Sequence, residues 1–420
     1  MLHGAAWPQV LTWESLASHK IQIEAHASAE GEVLSSYIPY FIELGHYLWS
    51  WDPKKNIKNK SGSIYIQASA FDNLTGLNEK MKSLFVSFDV SNAQNFRKLW
   101  FKPTADLKFR GLLGLHDFKK KRPLVILRMG IHGNVDEIIA ERFLAKLIYE
   151  DLDANFLMLE SLTSHAFLSK NTNISFGGVD EGLQTFLVLN EISKSKLNLL
   201  VSDIHVVSVS MGAHGTFVTA LLDQLNGHKI KSILSFCPLI NLQATLESRL
   251  NTNFKNAAID LWNAQRLSAI FNIYHDEVKF NDWWKTIFDL KPRFTPALLE
   301  ILNRDRKRAL ISPAEIEALI PNMKWPKDFK FHLENSKSFF ALNNFWPHYQ
   351  NVKTPMMIYT TPKDPLVINE LNAELIFRGQ QPGDFSNLKY HRLERGLHCG
   401  LASVYQWDYL VKLFKDGLEL

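Results

Sequence analysis

The chain has 420 residues, 46% of them hydrophobic and 21% charged, with a formal net charge of +4 at pH 7. This composition is that of an ordinary globular protein, and the length leaves room for an addition or a second domain beside one core. The positive charge is small and scattered, which argues against a nucleic-acid partner, and no apolar run of about 18 residues predicts a membrane-spanning helix.

The N-terminal residues 1–13 lack a basic region followed by an apolar one, so no signal peptide is visible. We therefore expect a cytoplasmic protein, while a trimmed secreted or periplasmic protein would begin in the same way. Apolar residues recur at spacings of three and four from Tyr37 to Trp51. They predict a helical extension over residues 1–60 that packs on the core, and a membrane-binding or partner-binding helix is the alternative.

The next part of the chain is predicted to open the sheet. Aromatic or alternating residues at 63–71, 84–90 and 107–115 predict antiparallel leading strands. Strand and helix patterns then alternate, at 123–129, about 135–150, 154–160, about 179–193, 204–209 and 230–237. This alternation predicts an α/β fold with a mostly parallel, doubly wound sheet.

Ser210 is the most informative residue, because a run of β-branched residues stops there and a helix-like pattern follows. Ser208 and Gly212 flank it two positions away on either side. Small neighbours suit a nucleophile elbow, in which a strained strand-to-helix turn exposes a serine hydroxyl at a helix N-terminus. The usual motif has glycine where Ser208 stands. On these residues alone, a buried strand that ends in a Ser/Gly turn is an equally good explanation.

From residue 240 to 349 no strand pattern occurs, and the segment contains helix-like stretches and many aromatic residues, among them Trp262, Trp283 and Trp284. We predict an inserted helical cap or lid that covers Ser210 and supplies an apolar acyl pocket. The alternative is that these aromatic residues only form the core of an added domain. The chain then divides into the extension, a core of residues 61–239 and 350–420, and this insertion.

A nucleophilic serine needs a base to take its proton and an acid to orient that base. Asp364 follows a predicted buried strand near 354–361, and His398 follows a final strand near 388–395. Both residues therefore fall at the carboxyl ends of strands, on the sheet edge that also carries Ser210. The three are predicted to form a catalytic triad. Asp384 also precedes the final strand and is the rival acid.

A fourth element is the loop Gly130-Ile131-His132-Gly133-Asn134, which follows the strand at 123–129. Backbone N–H groups in such a loop, together with the one after the nucleophile, stabilise a developing oxyanion. The N–H groups of Asn134 and Met211 are predicted to form this oxyanion hole. A glycine-containing loop with a hydrogen-bonded histidine is the alternative.

These motifs together resemble the α/β-hydrolases of the serine esterase and lipase type. The resemblance covers roughly residues 105–240 and 350–420, and includes Asp364-Pro365 and the segment Gly396-Leu397-His398-Cys399-Gly400-Leu401. It implies a hydrolase of carboxylic esters that acts through an acyl-enzyme on a small-molecule ester or lipid. A thioesterase or peptidase with the same triad, and a non-catalytic binding protein, are the alternatives.

No cofactor or metal is predicted, because no cluster of His and Cys has zinc spacing. The two cysteines are Cys237 and Cys399. Cys237 ends a buried strand pattern and is predicted to be a core thiol, and nothing in the sequence requires a disulfide between the two. The sequence does not indicate the oligomeric state.

Overall fold

The computed structural model describes residues 11–24, 94–135, 144–171, 177–248, 311–335, 339–345, 347–361, 364, 366–378, 387–393, 398 and 407–420. Within these residues the centre of the fold is one sheet of nine strands. In chain order they are β1 (Ile21–Ile23), β2 (Phe96–Phe101), β3 (Phe109–Gly114), β4 (Arg122–Arg128), β5 (Asn155–Leu159), β6 (Val201–Val209), β7 (Ile230–Phe236), β8 (Met356–Thr360) and β9 (Leu388–Arg392).

The strands lie in the order β1-β2-β3-β5-β4-β6-β7-β8-β9. The pairs β1–β2, β2–β3 and β3–β5 are antiparallel, and every pair from β5 to β9 is parallel. The chain leaves β4 for β5 on one side and later returns to place β6 on the other side. The strand order therefore reverses at β4, and in open α/β sheets the crevice at such a point is where ligands bind.

Helices cover both faces of the sheet. They are α1 (Trp13–Leu16), α2 (His165–Lys170), α3 (Gly178–Lys194), α4 (Ser210–Leu225), α5 (Leu242–Glu247), α6 (Pro313–Leu319), α7 (Phe329–Glu334), α8 (Phe339–Leu342), α9 (Ala373–Phe377) and α10 (Trp407–Leu418). Neighbouring strand residues point to opposite faces. Val206 accordingly packs with α3 and α4, while Val207 packs with α10. In the part of the chain that the structure describes, no helix combines the length and the hydropathy that a membrane span needs.

The predicted α/β fold with a mostly parallel, doubly wound sheet is confirmed, and it has the architecture expected of an α/β-hydrolase. The leading part of the sheet differs in detail. The sequence pattern does not predict β1 or β2, and the predicted strands at 63–71 and 84–90 lie outside the described residues. Within the predicted N-terminal extension, β1 pairs with β2 and so belongs to the main sheet. The predicted helix from Tyr37 to Trp51 lies outside the described residues.

The predicted cap, residues 240–349, is described in part. Near residue 324 the segment packs at the C-terminal end of α4, where the Asn226 side chain exchanges hydrogen bonds of 2.8 and 2.7 Å with the Lys324 backbone. With 16 residues, α4 is about 24 Å long, so this stretch lies far from Ser210. Its apolar residues Ile316 and Phe329 join the core on that face of the sheet. Residues 249–310 lie outside the described residues, and for them the cap stays a prediction.

Candidate active site

Ser210 occupies a strained turn between β6 and α4. Val209 is still extended, with a φ of −130°, whereas Ser210 has a φ of +55° and is the first residue of the helix. A non-glycine residue in this left-handed region costs on the order of 1–3 kcal/mol and persists only where the surrounding structure enforces it. The turn therefore has the geometry that the sequence predicts for a nucleophile elbow.

Close packing explains the small residues on both sides of the turn. A Cβ atom at Gly212 would collide with the backbone oxygen of Met129, so glycine is required there. Ser208 is fully buried, and its hydroxyl lies 3.5 Å from the backbone oxygen of Leu234 on the neighbouring strand. The space between β6 and β7 thus accommodates a serine where the usual motif has glycine.

Asp364 and His398, which are 34 residues apart, are brought together. His398 Nδ1 lies 2.7 Å from Asp364 Oδ2, and the other carboxylate oxygen accepts the N–H groups of Leu366 and Val367, both at 2.8 Å. The Asp364 side chain is fully buried, while that of His398 is 14% exposed. Because a carboxylate can only accept, Nδ1 carries the ring proton, and Nε2 of a neutral His398 is left as the basic atom. The rival acid Asp384 lies outside the described residues.

Ser210 lies at the same edge of the sheet as this pair. Because β7 separates β6 from β8, the ends of these strands are about 10 Å apart, a gap that the side chains of a serine, a histidine and an aspartate can span together. Among the described atoms no hydrogen bond joins Ser210 to His398. Catalytic hydrogen bonds of this kind are often long before substrate binds.

Cys237 follows β7 and so stands between the two strands that carry Ser210 and Asp364. It has a φ of +45°, it is buried, and its N–H donates to the Tyr359 backbone oxygen at 2.7 Å. Its Sγ, a carboxylate oxygen of Asp364 and a ring nitrogen of His398 all lie within 4.8 Å of one another. The sequence predicts a core thiol and no metal site. Cys237 is indeed buried, but it is also beside the predicted base and acid.

The loop after β4 lies against Ser210. A Cβ atom built on Gly130 would lie 3.4 Å from the Ser210 Cβ. The N–H of His132 donates to Thr163 Oγ1 at 2.8 Å, and that of Gly133 donates to the Gly130 backbone oxygen at 3.1 Å. These two N–H groups are therefore engaged within the protein. The N–H groups of Asn134 and Met211 remain the predicted oxyanion donors.

A buried ion pair holds the Asn134 side chain, and sequence reasoning missed it. Arg110 Nη2 donates to Asn134 Oδ1 at 2.7 Å and to Glu160 Oε2 at 3.0 Å, while Arg110 Nε donates to the same carboxylate oxygen at 3.1 Å. The hydroxyl of Ser164 also donates to Glu160, at 3.3 Å. The only signal in the sequence is a glutamate directly after the buried strand β5.

A second buried ion pair joins Arg128, at the end of β4, to Glu181 in the first turn of α3. Arg128 also donates to Gln184 Oε1 at 2.6 Å, and Glu181 accepts from the Ser161 hydroxyl at 2.8 Å. Complete burial lowers the pKa of Arg128 to about 9, which still leaves it charged at neutral pH. The carboxyl ends of β4 and β5 are therefore fixed by charge-assisted hydrogen bonds beside the Ser210 turn.

His214 lies one helical turn after Ser210 and differs from His398. It is fully buried, neither of its ring nitrogens has a hydrogen-bond partner among the described residues, and burial lowers its pKa to about 3. A Cβ atom on Gly178, at the start of α3, would collide with the ring. His214 is therefore a neutral packing residue at physiological pH, although it is the histidine closest to Ser210 in the sequence.

Comparison with solved structures gives distant similarities. A Pyrococcus horikoshii acylaminoacyl peptidase is 14% identical with a TM-score of 0.41, over 78% of this chain and 42% of the peptidase, so the chain spans about two fifths of that protein. An arylesterase is 13% identical with a TM-score of 0.43, over 84% of this chain and 93% of the esterase. A hydrolase from Pseudomonas aeruginosa PA01 is 16% identical with a TM-score of 0.42, over 78% of this chain and 100% of that one. No protein-family model and no curated protein matches the chain.

Proposed function

We propose that this protein with an α/β-hydrolase fold is a serine hydrolase that cleaves carboxylic esters through an acyl-enzyme. One observation carries the proposal. A serine on a left-handed strand-to-helix turn, Ser210, shares its sheet edge with the hydrogen-bonded pair of Asp364 and His398. Backbone strain at a serine has no structural benefit by itself, and a buried acid bonded to a partly exposed histidine is the arrangement that activates such a serine.

The proposed reaction assigns one task to each residue. His398 Nε2 takes the proton of the Ser210 hydroxyl as its oxygen attacks the ester carbonyl, and Asp364 holds Nδ1–H and stabilises the imidazolium. The N–H groups of Met211 and Asn134 receive the oxyanion of the tetrahedral intermediate. His398 then returns the proton to the leaving alcohol. Water hydrolyses the acyl-enzyme by the same steps.

An apolar acyl group is the proposed substrate feature, based on the sequence of the predicted cap between residues 249 and 310, which contains Trp262, Trp283 and Trp284. Each methylene that enters an apolar pocket contributes up to about 0.8 kcal/mol. A p-nitrophenyl ester series should therefore show kcat/KM rising from acetyl to medium chain length until the pocket is full. A flat profile would contradict the pocket. Thioesters and anilides with the same acyl chain test the thioesterase and peptidase alternatives.

The direct kinetic test compares two serines of the same turn. Ser210→Ala should lower kcat for the best ester by about 10⁴-fold or more, because the loss of a triad member leaves only binding and the oxyanion hole. Ser208→Ala, the matched control, removes a hydroxyl that makes one long hydrogen bond and should keep turnover within a few-fold. Equal losses in both variants, or turnover that survives Ser210→Ala, would contradict the proposal.

A further inference from the structure

Three side chains at the carboxyl edge of the sheet form a cluster that the proposed reaction uses only in part. They are Cys237 after β7, Asp364 after β8 and His398, and one ligand atom of each lies within 4.8 Å of the other two. The reaction assigns a role to the acid and the histidine but none to the thiol. The fold nevertheless places Cys237 between the strands that carry the predicted nucleophile and the predicted acid.

The chemistry of the three groups matches that of a zinc site. Thiolate, imidazole and carboxylate are the usual protein ligands of Zn²⁺, and three protein ligands with one open position form a common four-coordinate site. With metal–ligand distances of about 2.0–2.3 Å, tetrahedral zinc holds its ligand atoms about 3.3–3.6 Å apart. The Asp364–His398 contact of 2.7 Å would have to open slightly, and the thiol would have to approach by little more than an ångström.

The backbone fixes two of the three ligands. The Cys237 N–H donates to the backbone oxygen of Tyr359, and the residue is held in the left-handed region at a φ of +45°. The N–H groups of Leu366 and Val367 hold one oxygen of Asp364 and leave the other toward His398. A site whose ligands are already oriented loses little conformational entropy when it binds a metal.

We propose that Cys237, Asp364 and His398 form an inhibitory site for Zn²⁺, a regulation that rests on the proposed function. Zinc displaces one proton, that of the thiol, and binds the thiolate, a neutral ring nitrogen and the carboxylate. If zinc binds Nδ1, the ring proton moves to Nε2. If it binds Nε2, it occupies that lone pair directly. In both cases His398 can no longer take a proton from Ser210, so ester hydrolysis stops.

Metal binding is tested without turnover in the full-length Ser210→Ala protein, so this result does not depend on the proposed function. Co²⁺ replaces Zn²⁺ as the spectroscopic probe, and its thiolate complexes absorb by charge transfer in the near ultraviolet. Titration should produce this band at one Co²⁺ per chain, and Zn²⁺ should abolish it. Adding Cys237→Ala should remove the band, whereas adding Cys399→Ala should keep it. A band that depends on Cys399, or no band at all, would overturn the site.

Inhibition is tested in the active protein with the same two cysteine variants. Zn²⁺ should inhibit ester turnover, and a chelator should restore it. With each variant compared with its own zinc-free rate, Cys237→Ala should raise the half-inhibitory zinc concentration at least about tenfold, while Cys399→Ala should leave that concentration unchanged. Turnover that rises with zinc, or inhibition that is equal in the wild type and Cys237→Ala, would contradict an inhibitory site at Cys237.

Discussion

Glu160 and Asp364 both follow a buried strand at the carboxyl edge of the sheet, and the side chains of both are fully buried. Their partners differ. Glu160 is bonded to the guanidinium of Arg110, which neither takes up nor releases a proton in a protein, whereas Asp364 is bonded to the imidazole of the partly exposed His398, a group that can do both. Position on the sheet therefore does not decide which carboxylate can assist proton transfer. The partner decides it, and Glu160 is suited to holding structure in place.

Two histidines, His398 and His214, repeat this contrast. His398 has a carboxylate on one ring nitrogen. His214 instead packs against the start of α3, has no hydrogen-bond partner in the described part of the chain, and has its pKa lowered to about 3 by burial. A general base must be able to accept a proton near the working pH and must reach the substrate. His214 fails both requirements, so its role is in packing.

The largest expected effect is the difference in kcat between variants of Asp364 and variants of Glu160. Asp364→Asn should lower kcat by about 10⁴-fold, because the imidazole loses its orientation and the stabilisation of its charge, while the free energy of unfolding changes far less. Glu160→Gln keeps the acceptor for the Arg110 backbone N–H and should reduce kcat far less. Steady-state ester kinetics at fixed pH measure both. Similar rate losses in the two variants would remove the distinction.

The next effect is on stability, where Glu160 is expected to matter more than Asp364. Glu160→Gln removes the carboxylate charge that contacts the buried guanidinium of Arg110 and should lower the free energy of unfolding by about 3–5 kcal/mol in urea denaturation. The double variant Arg110→Met with Glu160→Gln removes the guanidinium as well and should recover part of that loss. If the double variant is less stable than Glu160→Gln, the cost does not come from the lost charge pairing.

How much of this contrast the sequence predicts depends on how local each signal is. Ser210, Asp364 and His398 could be predicted because each follows a strand whose apolar or alternating pattern is visible in neighbouring residues. The Arg110–Glu160 pair joins residues 50 positions apart, and no sequence spacing predicts such a contact.

Strand β2 could not be predicted either. Arg97 and Lys98 interrupt its apolar pattern, and the strand is stabilised by antiparallel pairing with β1 and β3. Cys237 comes beside His398 only through the order of the strands.

A smaller effect tests whether the buried Arg110–Glu160 pair helps to position the predicted oxyanion hole. Arg110→Lys keeps the positive charge but loses the planar fork that contacts both Glu160 and Asn134. If the Asn134 N–H is an oxyanion donor, kcat should fall about tenfold with little change in KM, since loss of a whole donor costs about 10²–10³-fold. Arg122→Lys, at the opposite end of β4, is the matched control and should keep kcat. If Arg110→Lys changes only KM, Arg110 does not position the predicted oxyanion donor.

The smallest effect concerns how the free energy of unfolding changes at acidic pH because of the buried His214. The pKa of His214 is lowered to about 3 in the folded protein from about 6.5 in the unfolded chain, so its stability contribution is complete above pH 6.5 and decreases as the pH falls. His214→Leu should therefore flatten the decline in unfolding free energy between pH 6 and 4.5 by about 1 kcal/mol per pH unit. The exposed His19→Leu is the control, and equal slopes in all three proteins would contradict the neutral, buried state of His214.

The proposed function depends on Ser210 as the nucleophile, and covalent labelling tests this role most directly. A fluorophosphonate should modify the wild-type protein once, with the added mass mapped by peptide mass spectrometry to Ser210. Labelling should be lost in Ser210→Ala, slowed by orders of magnitude in Asp364→Asn, and retained in Ser208→Ala. An adduct mapped to Ser208 or elsewhere, or a labelling rate that Asp364→Asn leaves unchanged, would contradict the account.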